Sequence, residues 1–206
     1  PLATLQSHVE AMIDGVWEAD VERLQSCHDE ILRISRLVGD LEKLASYESE
    51  NLVLNKIQFD LMELARSIVK GYEGEFISKE VKLIISGENS LINADRDKIS
   101  QVIVNLLINA LKYTPAGGKV EIKISNIDSF GRIEVIDDGM GISPEDLPHI
   151  FERFYRSDKS RTRETGGSGI GLAIVKAIVD AHEGNINVLS IIGKGTEFSI
   201  YLPQNK

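Results

Sequence analysis

One helix constrains this chain more than any other stretch. Across residues 98–113, Ile99, Val102, Ile103, Leu106 and Ala110 recur at helical spacing and make one apolar stripe for a core. Lys98, Gln101, Asn105, Asn109 and Lys112 fall on an adjoining stripe at steps of three and four. Asparagine costs a helix roughly half a kcal/mol or more relative to alanine. Two of them one turn apart beside a core stripe therefore call for a reason. A solvated polar edge is one. The other is a row of amide oxygens and a lysine aimed at a phosphate–metal group, with oxygen ligands suiting a hard cation such as Mg2+. The helix alone leaves both open.

The 206 residues allow one large domain or two smaller ones, and 42% hydrophobic with 27% charged residues is ordinary globular material. Thirty-two acids against 23 bases give a net charge of −9, which argues against nonspecific nucleic-acid binding. One cysteine excludes an internal disulfide and offers no thiolate spacing for a metal, which suits a reducing compartment. No apolar run approaches the roughly eighteen residues of a membrane span, and no signal-peptide pattern opens the chain. The segment is expected to make no membrane contact.

Leu2, Leu5, Val9, Met12 and Val16 are spaced as a coiled-coil or bundle seam. Asp14-Gly15, Trp17 and Asp20 interrupt it. A second seam then runs through Leu24, Cys27, Ile31, Ile34, Val38, Leu41 and Ala45. This predicts a helical hairpin with a long second arm and Cys27 as a core residue. Two lone helices bury too little surface, so the hairpin is expected to pair with a second copy in a four-helix bundle, the alternative being packing on its own chain. The polar stretch 47–55 breaks the heptad, which divides the chain into a hairpin domain at 1–52 and a second domain at 53–206.

In that second domain, Lys56 to Asp60 reads as a short edge strand, with Asp60 capping a helix through about Lys70. Val81 to Ser86 and Leu91 to Ala94 read as strands, and Asp95 or Asp97 starts the opening helix. Thr114-Pro115 and Gly117-Gly118 end it. Val120, Ile122 and Ile124 alternate with charged residues as a half-buried strand should, and Arg132 to Asp137 follows across a loop at 128–131. Gly169 to His182 predicts a helix with Ile170, Ile174, Ala177, Ile178 and Ala181 on one face. A hairpin from Asn185 closes the chain. Helices on one face of a mainly antiparallel sheet make an α+β, two-layer sandwich.

Three stretches break local rules in ways a core does not require. Asp137-Asp138-Gly139-Met140-Gly141-Ile142 puts a carboxylate at the end of an apolar strand, where it can accept from an amino group, and then spaced glycines that admit a flat ligand to the backbone. As a turn alone, Asp-Gly is commonplace. Gly166-Gly167-Ser168-Gly169-Ile170-Gly171-Leu172 runs straight into a helix, an arrangement for holding phosphates on free amides, yet it is neither a Walker loop nor a Rossmann fingerprint. Between them, Phe151 to Arg156 and then Lys159, Arg161 and Arg163 form a basic segment in an acidic chain. It reads as a mobile solvated loop, which is compatible with a lid for a triphosphate.

In this order the motifs resemble the catalytic core of sensor histidine kinases, within the wider family of ATPases sharing the Bergerat nucleotide fold. The resemblance implies ATP and Mg2+ as ligands. It makes Asn105 to Tyr113 the asparagine box, with Asn109 the metal ligand and Lys112 and Tyr113 near the phosphates and sugar. Asp137 to Gly141, with Gly139 and adjoining Ile142, becomes the first glycine box, Asp137 taking the adenine amino group. Arg156 closes a phenylalanine box as a candidate for the γ-phosphate. Gly167, Ser168, Gly169, Ile170, Gly171 and Leu172 form the second glycine box, and Thr196 in the closing box helps hold adenine. The family transfers the γ-phosphoryl of ATP to a histidine and then to an aspartate on a response-regulator receiver domain. It implies a homodimer through the hairpin, a cytoplasmic location, and a membrane-anchored parent.

The family's phosphoacceptor box, a histidine and an acid followed by Leu-Arg-Thr-Pro-Leu, is matched here only by Pro1-Leu2. The acceptor is therefore expected upstream of Pro1, and this chain is not expected to phosphorylate itself. His28-Asp29-Glu30-Ile31-Leu32-Arg33 mimics the box, without the proline and on the second helix; His8, His149 and His182 lack such a context. Two other readings stand beside this one. The chain is an ATP-hydrolysing relative such as a topoisomerase subunit, mismatch-repair ATPase or chaperone, or a non-enzymatic dimerisation and docking module with a vestigial nucleotide site.

Overall fold

Two aspartates each end a short strand and begin a long helix. Asp60 closes β1 (Lys56–Asp60), and its carboxylate accepts from Met62 N–H to cap α3 (Leu61–Ser78). Asp95 closes β3 (Leu91–Asp95) and accepts from Lys98 N–H at 3.1 Å to cap α4 (Arg96–Tyr113). Such caps contribute about 1 kcal/mol each. β1 and β3 pair antiparallel as a separate two-stranded sheet, with Lys56 opposite Asp95 and Asp60 opposite Leu91. The two helices therefore leave from opposite ends of one small ladder.

The computed structural model describes residues 2–47, 53–156 and 169–204. They form two compact units, Pro1–Ala45 and Ser46–Lys206. The first contains α1 (Leu2–Ile13) and α2 (Val21–Tyr47). The first arm ends at Ile13, at the Asp14-Gly15 interruption of its seam, where Gly15 turns back at φ 69° and the Val16 and Trp17 amides donate to Ala11 O. Asp20 then accepts from Arg23 N–H at the start of α2. Cys27 is buried, as its place on the seam predicts.

In the second unit a five-stranded sheet runs in the order β2-β4-β5-β7-β6. Its strands are β2 (Lys82–Gly87), β4 (Lys119–Ile127), β5 (Phe130–Asp137), β6 (Asn185–Ile191) and β7 (Gly195–Pro203). β2 and β4 are parallel and the other three pairings antiparallel. A parallel pair needs a long crossover, and α4 lies within it. Val120, Ile122, Ile124, Ile133 and Ile200 are wholly buried under α3, α4 and α5 (Gly171–Ala181). The opposite face carries Lys119, Lys123, Arg132 and Glu197. The two-layer α/β sandwich read from the sequence is the observed one.

Three local expectations change. α3 runs past Lys70 to Ser78 because Phe76, 1% exposed, anchors its last turns in the core. Gly71 and Gly74 lie on its open side, where a glycine costs only about 1 kcal/mol of helix propensity. The expected loop at 128–131 shrinks to a turn at Asp128-Ser129, with Asp128 at φ 53°. α5 begins at Gly171 rather than Gly169, and Ala173, Val175 and Val179 are buried beside Ile174 and Ile178, while Ala177 and Ala181 are half-buried. A helix packed on both the sheet and α4 buries a wider arc than one stripe. No helix among the described residues is long and apolar enough to cross a membrane.

Candidate active site

The last turns of α4, the end of β5 and the starts of α5 and β7 meet at one end of the sheet. Asp137, the last residue of β5, stands opposite Thr196 on β7. Its side chain is 8% exposed and accepts from the Gly139 amide at 2.9 Å and from the Thr196 amide. Burial is the largest influence on this carboxyl and pushes it above its ordinary 3.8; the two amides pull it down, and Asp138 adds to the rise. A desolvated carboxylate held by backbone amides is an acceptor waiting for a donor.

The loop after Asp137 is pressed between two backbones. Met140 N–H donates to Tyr113 O at 3.2 Å, and a Cβ on Gly139 would stand 2.5 Å from that same oxygen. Gly141, at φ 70°, would place a Cβ 2.2 Å from Ile191 O. Only glycine has both the conformation and the clearance there. Ile142 N–H donates to Ser190 Oγ at 2.8 Å. Ser190 in turn reaches Gly195 O and Thr196 Oγ1, both at 2.9 Å. With one proton on each hydroxyl, Ser190 donates to Gly195 O and accepts from Thr196. Thr196 is left with lone pairs to offer.

Ser190 is the residue that sequence reasoning missed. It faces inward on β6 with Ile186 and Val188, opposite Thr196. A serine on the otherwise apolar face of β6, in line with Ile186 and Val188, was the signal.

On α4, Asn105 and Asn109 are half-buried, and the Asn109 side chain makes no hydrogen bond with any described residue. A Cβ on Gly171 would lie 3.4 Å from Asn105 Oδ1, so the first turn of α5 rests against the asparagine row. The α5 N-terminus has no side-chain cap, Ile170 occupying that position at 0% exposure, which leaves first-turn amides for an anion. Lys112 lies over the Tyr113 ring at 4.8 Å, at the carboxyl end of α4. Lys79 Nζ donates to Leu111 O and Lys112 O at 2.5 and 2.9 Å, tying that end down.

Phe154 N–H donates to Gly169 O at 2.9 Å, and Gly169, at φ 71°, would bring a Cβ within 3.0 Å of Tyr155 O. The residues on either side of 157–168 are thereby held together. Arg156 is half-buried at this junction, and Leu172 lies in the first turn of α5. Gly167 and Ser168 lie outside the described residues, as do Lys159, Arg161 and Arg163. Among the described residues no three His, Cys, Asp or Glu converge on a metal. The donor chemistry fits Mg2+ all the same, because one neutral asparagine oxygen suffices for a cation that takes its other ligands from phosphates and water.

The family model described as "Histidine kinase-, DNA gyrase B-, and HSP90-like ATPase" matches residues 94–206, more than half of the chain, and the chain belongs to that family. Within it the similarity is to sensor histidine kinases. The chain is 39% identical over 212 residues to sensor histidine kinase WalK of Bacillus subtilis (strain 168), covering 98% of this chain and 34% of WalK. Its fold matches the Acinetobacter baumannii histidine kinase AdeS with TM-score 0.80 and 28% identity, over 100% of this chain and 96% of that one. Full-length ShkA, solved in complex with AMPPNP, matches with TM-score 0.77 and 27% identity, over 91% of this chain and 40% of that one. The chain spans about a third of the length of WalK.

Proposed function

We propose that this chain is the catalytic core of a two-component sensor histidine kinase. It binds Mg·ATP in a catalytic domain at 53–206 and directs the γ-phosphoryl group to a histidine, from which it passes to an aspartate on a response-regulator receiver domain. The observation that carries this reading is convergence. Asp137 with Thr196, Asn105 with Gly171, and Phe154 with Gly169 meet at one end of the sheet although they come from separate stretches of chain.

Each pair serves a different part of one ligand. Asp137 and Thr196 accept from the adenine amino group, while Gly139, Gly141 and Ile142 form the wall it lies against. The amides at Gly169 to Leu172, with Gly167 and Ser168 before them, hold phosphate oxygens. Asn109 supplies an oxygen to Mg2+, with Asn105 beside it, and Lys112, Tyr113 and Arg156 face the phosphates and sugar. Bound Mg2+ neutralises phosphate charge. The acceptor histidine nitrogen bonds to Pγ as the bond to the bridging oxygen breaks and ADP leaves. No side chain of this unit bonds covalently, so its residues act by position and charge.

The hairpin at 1–52 is the dimerisation element. Ile13, Val21, Leu24 and Val38 are 76%, 82%, 51% and 50% exposed in a single chain, which favours a second copy over them. The net charge of −9 disfavours nucleic acid as a partner. This segment works on the cytoplasmic side of a membrane-anchored parent.

None of the four histidines is the acceptor: His182 is buried, and His28 sits on α2 without the proline of the acceptor box. Incubation of the chain with γ-labelled ATP is expected to leave it unlabelled, and label on His28 would move the acceptor. Calorimetric titration with AMPPNP and Mg2+ tests the site itself. Saturable, metal-dependent binding is expected, and its absence would sink the kinase reading in favour of a vestigial site. Sustained hydrolysis without phosphohistidine in the parent protein would instead point to a hydrolytic relative.

A further inference from the structure

His182 has no part in that site, yet both its ring nitrogens are engaged. It follows α5, and its ring is 3% exposed. Nδ1 lies 2.8 Å from Ile178 O, and a carbonyl can only accept, so Nδ1 carries the proton. Nε2, 3.0 Å from the Asp95 amide nitrogen, accepts its N–H. The ring is thereby fixed as one neutral tautomer. Asp95 is the cap of α4, with Oδ1 taking the Lys98 amide and Oδ2 the Asn55 amide at 3.0 Å.

α4 and α5 touch at two places, by packing at one and by a hydrogen bond at the other. Asn105 meets Gly171 at the nucleotide end, and Asp95 meets His182 at the far end. Asp95 lies ten residues before Asn105, and His182 eleven after Gly171. At 1.5 Å per residue these are rungs about 15 Å and about 16 Å apart on two antiparallel helices. The hydrogen bond at the far rung holds the register in which Asn105 packs against Gly171 at the near one. The helix bearing the asparagines and the helix whose amides face phosphate keep one register.

We propose that His182 is a positioning residue for nucleotide binding: its neutral ring clasps the carboxyl end of α5 to the start of α4 and sets how Asn105 and Asn109 face the α5 amides. The proposal rests on the reading of this site as an Mg·ATP site. Protonation of Nε2 would turn an acceptor into a donor facing the Asp95 N–H, and the clasp would open. Burial, the largest influence, holds the ring below its ordinary 6.5; the Ile178 carbonyl opposes that, Lys56 on β1 adds to it, and the Asp95 carboxylate opposes it. A group held neutral in the fold contributes stability that is complete above the ordinary 6.5 and is lost as pH falls through the lower folded value.

The test compares the full chain with His182→Gln and His182→Phe. Gln places Oε1 where Nε2 was, accepts from Asp95 and does not titrate. Phe fills the volume without an acceptor. Affinity for Mg·AMPPNP is measured between about pH 5 and about pH 8. At neutral pH the Gln variant is expected to bind like the unsubstituted chain, and the Phe variant about tenfold more weakly. Below the ordinary value of 6.5 the unsubstituted chain is expected to weaken relative to Gln, a ratio that cancels the ligand's own protonation. In the nucleotide-free chain, amide resonances of Asp95, Asn105 and Gly171 should shift with one midpoint that the Gln variant lacks. If Phe does not fold, the Gln ratio and the amide titration still decide. A pH-independent ratio, or Asp95 shifting without Asn105 and Gly171, overturns the clasp alone. No nucleotide binding at neutral pH overturns the site it rests on.

Discussion

Asp137→Asn separates what the site costs the fold from what it gives the ligand. Asparagine has the same shape, and its oxygen can still accept from the Gly139 amide at 2.9 Å. The other carboxylate oxygen becomes an NH2 donor. For the fold, the variant loses charge-assisted bonds to two amides but no longer buries a charge at 8% exposure, and burial is the larger influence. Stability in urea is expected to be equal or higher, by up to about 1 kcal/mol. The sign with pH follows from the raised carboxyl. The folded state holds its proton more tightly, so the unsubstituted chain loses stability as pH rises from 3.8 through the folded value and levels off beyond it. The advantage of the variant should grow across that window and then stay constant.

For the ligand the sign reverses. A donor facing the adenine amino group leaves two donors in contact, a loss of about 2–3 kcal/mol, or roughly thirtyfold to a hundredfold in affinity. Measuring binding of an ATP analogue and of its inosine counterpart, which has a carbonyl in place of the amino group, closes the cycle. The unsubstituted chain should prefer the adenine analogue and the variant the inosine one. Equal losses for both nucleotides would refute the pairing of Asp137 with the base, whatever the effect on stability.

Asn109→Ala should leave folding unchanged within about 0.5 kcal/mol, because the side chain is half-buried, and should abolish the strengthening of AMPPNP binding by Mg2+, read by calorimetry with and without the metal. Ser190→Ala removes the acceptor for the Ile142 amide and the partner of Thr196, and should cost about 1 kcal/mol in urea denaturation together with a several-fold loss of nucleotide affinity. Gly141→Ala forces a methyl to within 2.2 Å of Ile191 O at φ 70°, and should lower stability by about 2 kcal/mol or more; an unchanged midpoint would mean that the loop moves freely away from β6.

Most of the candidate site was legible because each part is a local word. The asparagine row needs only the periodicity of one helix, and Asp137 with its glycines needs only a strand followed by a turn. Gly169 to Leu172 needs only a glycine run entering a helix. Ser190 escaped because its role exists only once β6 lies beside β7 and against the Ile142 loop, 48 residues away in sequence. His182 escaped for the same reason, its partner Asp95 being 87 residues distant. The expected end of α3 near Lys70 moved to Ser78 because Phe76, buried in the core, holds the last turns in place.

The sequence by itself determined which segments are helix and which strand, which faces are apolar, and which residues near the candidate site offer donors, acceptors or charge. These follow from backbone preference and side-chain chemistry, properties a residue carries with it. Only the tertiary structure decided that β2 lies parallel beside β4, that Ser190 bonds Thr196, and that α5 packs on α4 with His182 bonded to Asp95. Those are properties of pairs, set by which surfaces bury each other. The asparagine helix therefore holds both kinds of information. Its stripe could be read before folding, but the partners that aim it came only with the packed α4–α5 pair.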